Sequence, residues 1–405
     1  MKYLFLNQTF HPDVVSTAQH LSELALALVE RGHQVTVIAS RRAYDHPEQT
    51  FPARENWRGV TIERVATTAL GKRAKWRRAV DFASFIVTCC WRLVFTQRPD
   101  VVVALTSPPL ISFIGALYAK LRRARFVYWV MDMNPDEAIA AGWLREGSLA
   151  ARGLHWLSRF SFQRADRIIA LDRFMRAKIA GKGIAADKIN VLPPWSHDAA
   201  VRFDPAGRER FRALHGLADK FVIMYSGNHS PCHPLDTILD AAKLLANNPR
   251  FAFLFIGGGS EFARVKQLAS EAALANVVCL PYQPLSELGA SLSAADLHVV
   301  VMGEAFVGLI HPCKIYNILG VGAPVLCIGP QPSHLTEVVA ALNSRVCAAV
   351  PHHDAAGCVA VIHRLRESGG RGEPEKYQPV RERFAQATLQ KQLVEILESL
   401  RAPSS

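Results

Sequence analysis

Lys314 occupies an unusual setting for a cation. Residues 308–326 read GLIHPCKIYNILGVGAPVL, with one lysine among mostly apolar neighbours and Pro312 two positions ahead of it. Proline suits the start of a helix, where the first N–H groups have no intrahelical partner. A lysine in that first turn opposes the helix dipole. A bound anion removes the conflict, because backbone amides and an ammonium can converge on a diphosphate. The alternative is a surface lysine with its charge in water. Gly320 to Pro324 then turns the chain into a short apolar strand.

Three further segments carry polar or glycine-rich chemistry at the ends of apolar runs. Residues 255–261, FIGGGSE, lead a strand into three glycines and then Glu261. Gly258 and Gly259 let backbone N–H groups approach a phosphate or a flat base, though a tight structural turn has the same composition. Residues 225–234, YSGNHSPCHP, place Gly227, Asn228, His229 and His233 after another strand. The two histidines and Cys232 lack the spacing and the fourth ligand of a metal site, so no metal is expected. Residues 9–20 join the first strand to the first helix and offer His11, Ser16 and Thr17 to an acceptor. Asp132 and Asn134, in DMNPD, follow a later strand. Asp132 suits acid/base work, a bond to a sugar hydroxyl, or the cap of a helix.

The elements that must position these groups alternate. Short apolar runs at 3–7, 35–39, 60–65, 101–104, 126–130 and 167–170 read as strands, with helical runs at 16–30, 80–95 and 110–121. Such alternation predicts parallel sheets covered on both faces. The segment 190–197, NVLPPWSH, breaks the pattern, and a second set of strands begins at 221. The expected organisation is therefore an α/β domain over 1–197 and a second over 198–375. A single amphipathic helix is expected at 377–400, within a 376–405 segment returning to the first domain. Open parallel sheets bind ligands beyond their C-terminal strand ends.

Composition narrows the function. Half of the 405 residues are hydrophobic and 20% are charged, which suits folded domains rather than a disordered chain. The formal charge of +12 fits nucleic acid, acidic lipid or phosphorylated small molecules. None of the eight cysteines forms a CxxC pair, so zinc is not expected and reduced cytoplasmic thiols are. The N-terminal MKYLFLNQTFHPD does not read as a signal peptide. No run has the length and apolarity expected of a transmembrane helix.

At these segments the chain resembles the GT-B glycosyltransferases, and in particular the GT4-type enzymes of bacterial polysaccharide synthesis. The likeness runs through LNQTFHPDVVSTAQHLSELALALVERGHQVTVIAS, YSGNHSPCHPLDTILDAA, FIGGGSE and HPCKIYNILGVGAPVLCIGP in that order. It implies two Rossmann-like domains with an interdomain cleft, a nucleotide-sugar donor on the second and an acceptor approaching from the first. UDP is the implied nucleotide, transfer is implied to be retaining, and neither a metal nor a tightly bound cofactor is implied. Lys314 corresponds to the family's diphosphate lysine. Asn228 and His233 fall where relatives carry arginine and lysine, and Asn317 falls where they carry a glutamate. The implied donor set is Gly227, Asn228, His229, Gly258, Gly259, Glu261, Tyr282, Lys314, Ile315 and Asn317. Lys314, Asp132 and His233 are the candidate catalytic groups, His233 as a hydrogen-bond donor to the leaving phosphate.

Residues 72–78, KRAKWRR, hold five cations and a tryptophan ahead of an apolar helix. That pattern suits anionic lipid headgroups. Lys72, Arg73, Lys75, Trp76, Arg77 and Arg78 are therefore candidate contacts with the cytoplasmic face of an inner membrane, where a polyprenyl-diphosphate-linked saccharide would be the acceptor. A solvated basic face is the competing reading. A GT-B-like nucleotide-sugar epimerase and a nucleic-acid or anion-binding protein are the alternative functions. The chain carries no familiar nucleic-acid motif, and no GxGxxG follows its first strand, which counts against an NAD-dependent enzyme.

Overall fold

Most strand segments are apolar on both sides of the chain, and they form sheets buried on both faces. The computed structural model describes residues 1–44, 46, 48–71, 75–196, 201–369 and 374–401, with backbone alone for 75 and 374–376. The chain divides into two compact units, Met1–Pro193 with Leu389–Ser405, and Pro194–Thr388. The division falls between the two prolines of the NVLPPWSH segment.

In the first unit the strands are β1 (Lys2–Leu6), β2 (Gln34–Ser40), β3 (Arg54–Trp57), β4 (Val60–Val65), β5 (Val101–Ala104), β6 (Arg125–Trp129), β7 (Arg167–Ala170) and β8 (Ile189–Val191). They lie in the order β3-β4-β2-β1-β5-β6-β7-β8. Seven run parallel. The edge strand β3 departs from the all-parallel expectation and pairs antiparallel with β4. Only Arg58 and Gly59 link the two, both at positive φ (50° and 89°), and a two-residue turn of that kind returns the chain as a hairpin.

The second unit contains β9 (Phe221–Asn228), β10 (Phe251–Gly258), β11 (Val277–Leu280), β12 (Leu297–Val301), β13 (Val325–Ile328) and β14 (Cys347–Val350). All are parallel, in the order β11-β10-β9-β12-β13-β14. Its core packs Phe251, Phe253, Phe255, Val299 and Val301 of the sheet against Ile238, Leu239 and Ile362 of the helices. The strand order reverses between β9 and β12, which makes their C-terminal ends the switch point where such sheets take ligands.

The single helix expected over 377–400 is two, Pro374–Arg383 and Gln386–Glu398. The break sits at Phe384. Its carbonyl leaves the helical pattern and accepts hydrogen bonds from the Ser196 amide and hydroxyl at 2.9 and 3.1 Å. Its ring packs on Tyr316 at 4.4 Å between centroids. From Leu389 onward the chain belongs to the first unit. Glu398 there accepts from Arg31 and from His33 Nε2, and Gln390 donates to the Glu23 carbonyl.

Candidate functional site

The second unit gathers the donor-side residues at its switch point. The helix Lys314–Val321 starts at Lys314, with Cys313 as N-cap and Pro312 one residue earlier, and it ends on Gly322 in the left-handed conformation. No side chain caps its start and no acidic residue occupies its first turn, so its leading amides are available to an anion. Lys314 Nζ donates to the Tyr225 hydroxyl at 2.6 Å and lies 3.9 Å from the centroid of that ring. Tyr225 in turn donates to the Asn228 carbonyl at 2.7 Å. The lysine also fills the space beside Gly227: a β-carbon there would lie 3.2 Å from both Cε and Nζ. Burial pushes the Lys314 ammonium down to about 7.

The glycines of β9 and β10 have a steric reason. Gly257 pairs with Gly227 at the strand ends, and a β-carbon at Gly257 would sit 2.0 Å from the Gly227 carbonyl oxygen. Gly257 also has φ 141°, a backbone conformation that side chains disfavour. Tyr282 is 57% exposed, and its ring edge comes 3.0 Å from the position of a β-carbon on Gly258. A flat, accessible ring over a bare backbone offers a face on which a nucleobase can stack.

The two histidines are oriented inward. His229 is fully buried. Its Nδ1 donates to the Gly227 carbonyl at 3.0 Å, and its ring packs on Phe262 and Tyr225. Burial and the nearby Lys314 charge push its imidazolium down to about 4. It braces the turn through Nδ1, while its buried Nε2 has no hydrogen-bond partner among the described residues. His233 Nδ1 donates to the Val301 carbonyl at 2.8 Å, and burial with Lys314 holds the ring well below the usual imidazolium range. A neutral ring that donates through Nδ1 keeps a lone pair on Nε2. His233 is therefore a hydrogen-bond acceptor at that nitrogen, the reverse of the donor role expected for it at a phosphate.

The other donor-side residues divide by accessibility. Ile315 is fully buried, which leaves its backbone N–H as the group it can offer. Asn317 is partly accessible on the same helix. Asn228 is exposed, while Glu261 precedes the helix Phe262–Glu271 and approaches Arg264 at 3.6 Å.

The first unit holds the remaining candidates. His11 stacks flat on Trp57, with centroids 3.9 Å apart and planes at 13°. Thr17 bonds Thr9, and Ser16 bonds His20 one helical turn on. Asp132 does not cap a helix, since Pro135 is the N-cap of Asp136–Ala140 and no side chain bonds there. Burial raises Asp132, and burial with the Asp132 charge raises Glu137; like charges in a desolvated site favour one shared proton. Asn134 Nδ2 donates to Glu137 at 3.4 Å. Sequence reading missed Glu137, although its place five residues after Asp132 in the same polar run was the available signal. It also missed Tyr225, whose polar edge cannot be told from a core tyrosine without its partners.

Lys72 and Arg73 lie outside the described residues, as does the side chain of Lys75. Trp76 is exposed, with the Arg77 guanidinium 5.4 Å from its ring centroid. Arg78 differs from the membrane-facing expectation: it turns inward, donating to the Tyr44 hydroxyl and lying over Phe82. No helix of the described residues is long and apolar enough to cross a membrane.

Two α/β units, each built on an open and largely parallel sheet, are the architecture of the GT-B glycosyltransferases. Residues 17–195 match the glycosyl transferase 4-like domain and 207–365 match glycosyl transferases group 1. The chain belongs to the GT4-type glycosyltransferases. Over 339 residues it is 27% identical to the Escherichia coli (strain K12) protein named as colanic acid biosynthesis glycosyl transferase WcaI, covering 80% of this chain and 82% of that one. Pseudomonas aeruginosa WbjE, also named as a glycosyltransferase, is 28% identical over 60% of each chain. The fold is shared with Anabaena HepE, solved with UDP and glucose (TM-score 0.75, 16% identity, 98% and 100% coverage). It is also shared with sucrose-phosphate synthase of Thermosynechococcus elongatus (TM-score 0.77, 15% identity, 99% of both chains).

Proposed function

We propose that this glycosyltransferase moves a hexose from a UDP-sugar to a hydroxyl of a polyprenyl-diphosphate-linked saccharide, with retention at the anomeric carbon, in the synthesis of a surface polysaccharide. The observation that carries the reading is Lys314, held by Tyr225 against Gly227 at an uncapped helix start. Its ammonium and the adjacent amides would take up the negative charge that grows on the diphosphate as the glycosidic bond breaks. Tyr282 would stack on the base and Asn317 would bond the ribose, while Asn228, Glu261 and the Gly258–Gly259 backbone would line the donor. His233 Nε2 would accept a hydrogen bond from a donor hydroxyl. The same-face course of a retaining transfer needs no enzyme nucleophile, and no metal is required where a lysine and helix amides neutralise the leaving group.

The acceptor would meet the first unit, at His11, Ser16, Thr17, Asp132 and Asn134. Anabaena HepE complexes with UDP-glucose and the colanic acid assignment of WcaI support the choice of donor and product class. Attachment to the cytoplasmic face of the inner membrane is supported by the helix Lys75–Val94. It exposes Trp76, Val80, Val87, Trp91 and Val94 at helical spacing, followed by Phe95. Exposed Leu121 and Trp156 lie on the next two helices of the same layer. A solvated helix rarely leaves two tryptophans open in this way, whereas an interfacial one does.

A screen of nucleotide sugars with membrane extract as acceptor, read by mass spectrometry, tests the proposal. A new lipid-linked product with the wild-type enzyme, lost in Lys314→Ala, supports it. Conversion of the free nucleotide sugar without acceptor would reject transfer in favour of epimerisation.

A further inference from the structure

A cavity lies in the first unit, apart from every residue given a role in donor binding. It has a volume of about 110 Å³ and sits beyond the C-terminal ends of β5 and β6, where open parallel sheets take ligands. The helices Ile111–Arg122 and Leu149–Arg164 supply much of its wall. Leu110, Phe113, Ala138, Leu154 and Leu157 give it an apolar surface, and no charged side chain lines it. A phosphoryl group or a carboxylate therefore finds no opposite charge there. A cavity of roughly 150 Å³ holds a benzene ring, so this one suits an uncharged substituent of about four to six heavy atoms and is too small for a whole sugar.

Its polar groups leave one donor over. Ser112 donates to Ser161 Oγ at 3.2 Å, Ser161 to the Leu157 carbonyl at 3.1 Å, and Ser158 to the Asn134 carbonyl at 3.2 Å. The Tyr128 hydroxyl pairs with Ser112. Thr106 differs. It lines the same cavity at 7% exposure, and its Oγ1 is buried with no hydrogen-bond partner among the described residues. A buried hydroxyl is costly to leave unpaired, and a guest in the cavity can supply the missing acceptor. Asn134 also belongs to the wall. Its Nδ2 donates to Glu137, and its Oδ1 remains an acceptor.

An apolar wall, one unpaired hydroxyl and one amide oxygen together match an acetamido group. Its carbonyl would accept from Thr106, its N–H would donate to Asn134 Oδ1, and its methyl would lie against the leucines and Phe113. A sugar hydroxyl has no methyl to bury, and a stretch of hydrocarbon leaves Thr106 unpaired. We propose that this cavity binds the acetamido group of an N-acetylated acceptor sugar, and that Thr106 makes the enzyme prefer such a sugar to its hydroxyl counterpart. The inference rests on the reading that the first unit receives a saccharide acceptor, since Asn134 belongs to both.

Ligand-observed NMR titrations with UDP saturating test it. The probes are methyl glycosides of N-acetylglucosamine, N-acetylgalactosamine and N-acetylmannosamine, each against the same glycoside with a hydroxyl at that carbon. Wild type is expected to bind at least one N-acetylated member about tenfold more tightly than its counterpart. Thr106→Val keeps the shape without the hydroxyl and should cut that preference about three- to tenfold. Thr106→Ser should keep it, and UDP affinity should be unchanged in both. Because Thr106 Oγ1 has no partner to lose, Thr106→Val should melt no earlier than wild type. If it does melt early, Ala138→Leu, which fills the cavity, carries the test and should abolish the preference. Equal binding within every pair, or the same preference in wild type and Thr106→Val, overturns the proposal and leaves the acceptor reading in place. So does a gain that follows the aglycone from methyl to octyl and not the acetamido group, which would assign the cavity to hydrocarbon. No binding of any glycoside would overturn both.

Discussion

Lys314 should make nucleotide binding depend on pH in a way that one substitution removes. Burial places its ammonium at about 7 in the empty protein, against an ordinary value of roughly 10.4. A diphosphate binds the charged form, so apparent affinity scales with the protonated fraction of the empty site. That fraction is about one half at pH 7 and about one hundredth at pH 9, which predicts a Kd for UDP some fiftyfold weaker at pH 9. The sign for stability is opposite. Between about 7 and 10 the unfolded chain binds the extra proton, so stability of the empty protein contributed by this group rises with pH and is lost as pH falls through 7. Lys314→Met removes the charge and keeps the length. It should weaken UDP at pH 7 by roughly 10- to 150-fold, the equivalent of about 1.5–3 kcal/mol for a charge-assisted hydrogen bond, without lowering the Tm of the empty protein. Its Kd should also lose the extra rise between pH 7 and 9, leaving only changes that do not depend on the lysine. Calorimetric titrations across pH with both proteins decide the matter. Identical pH profiles in wild type and variant would refute the reasoning.

Other perturbations follow from the same geometry. Tyr225→Phe deletes the acceptor of the lysine's 2.6 Å bond and should raise KM for the donor about three- to tenfold, at a cost of about 1 kcal/mol; an unchanged KM would show that the hydroxyl does not position Lys314. Gly257→Ala forces a β-carbon to 2.0 Å from the Gly227 carbonyl and should destabilise the fold by about 2–4 kcal/mol, seen as a lower denaturation midpoint. Phe384→Ala removes the ring packed on Tyr316 and should cost about 3–5 kcal/mol by chemical denaturation. Hydrogen bonds to His33 and Arg31 hold the Glu398 carboxyl below its usual value, so its stabilisation is present above about pH 4.3 and fades as pH falls through the lower folded value; Glu398→Gln should flatten that part of the acid unfolding curve.

Much of the fold is legible in the sequence because buried parallel strands are written as short apolar runs. The segments 60–65, 101–104 and 167–170 coincide with observed strands, and the second set begins at Phe221 as expected. The misses come from terms that periodicity does not encode. β3 is amphipathic and polar, and its pairing direction is set by a two-residue turn. The C-terminal helix breaks because the Phe384 carbonyl finds a better partner in Ser196. At the site, Lys314 and the glycines are readable, since helix-start chemistry and bare backbone leave residue-type signatures. The histidine orientations are not, because which ring nitrogen is committed depends on the Val301 and Gly227 carbonyls, which any residue would supply. Arg78 sits in a basic run that predicts solvent or lipid, and only the fold shows it bonded to Tyr44.

The contact between the Lys314 ammonium and the donor's diphosphate is most directly tested by a crystal structure of this chain with UDP. The account predicts the diphosphate within about 3 Å of Lys314 Nζ and of the leading amides of the helix Lys314–Val321, with Nζ drawn away from the Tyr225 hydroxyl or sharing it. A diphosphate bound elsewhere, with Lys314 still donating only to Tyr225, would contradict it.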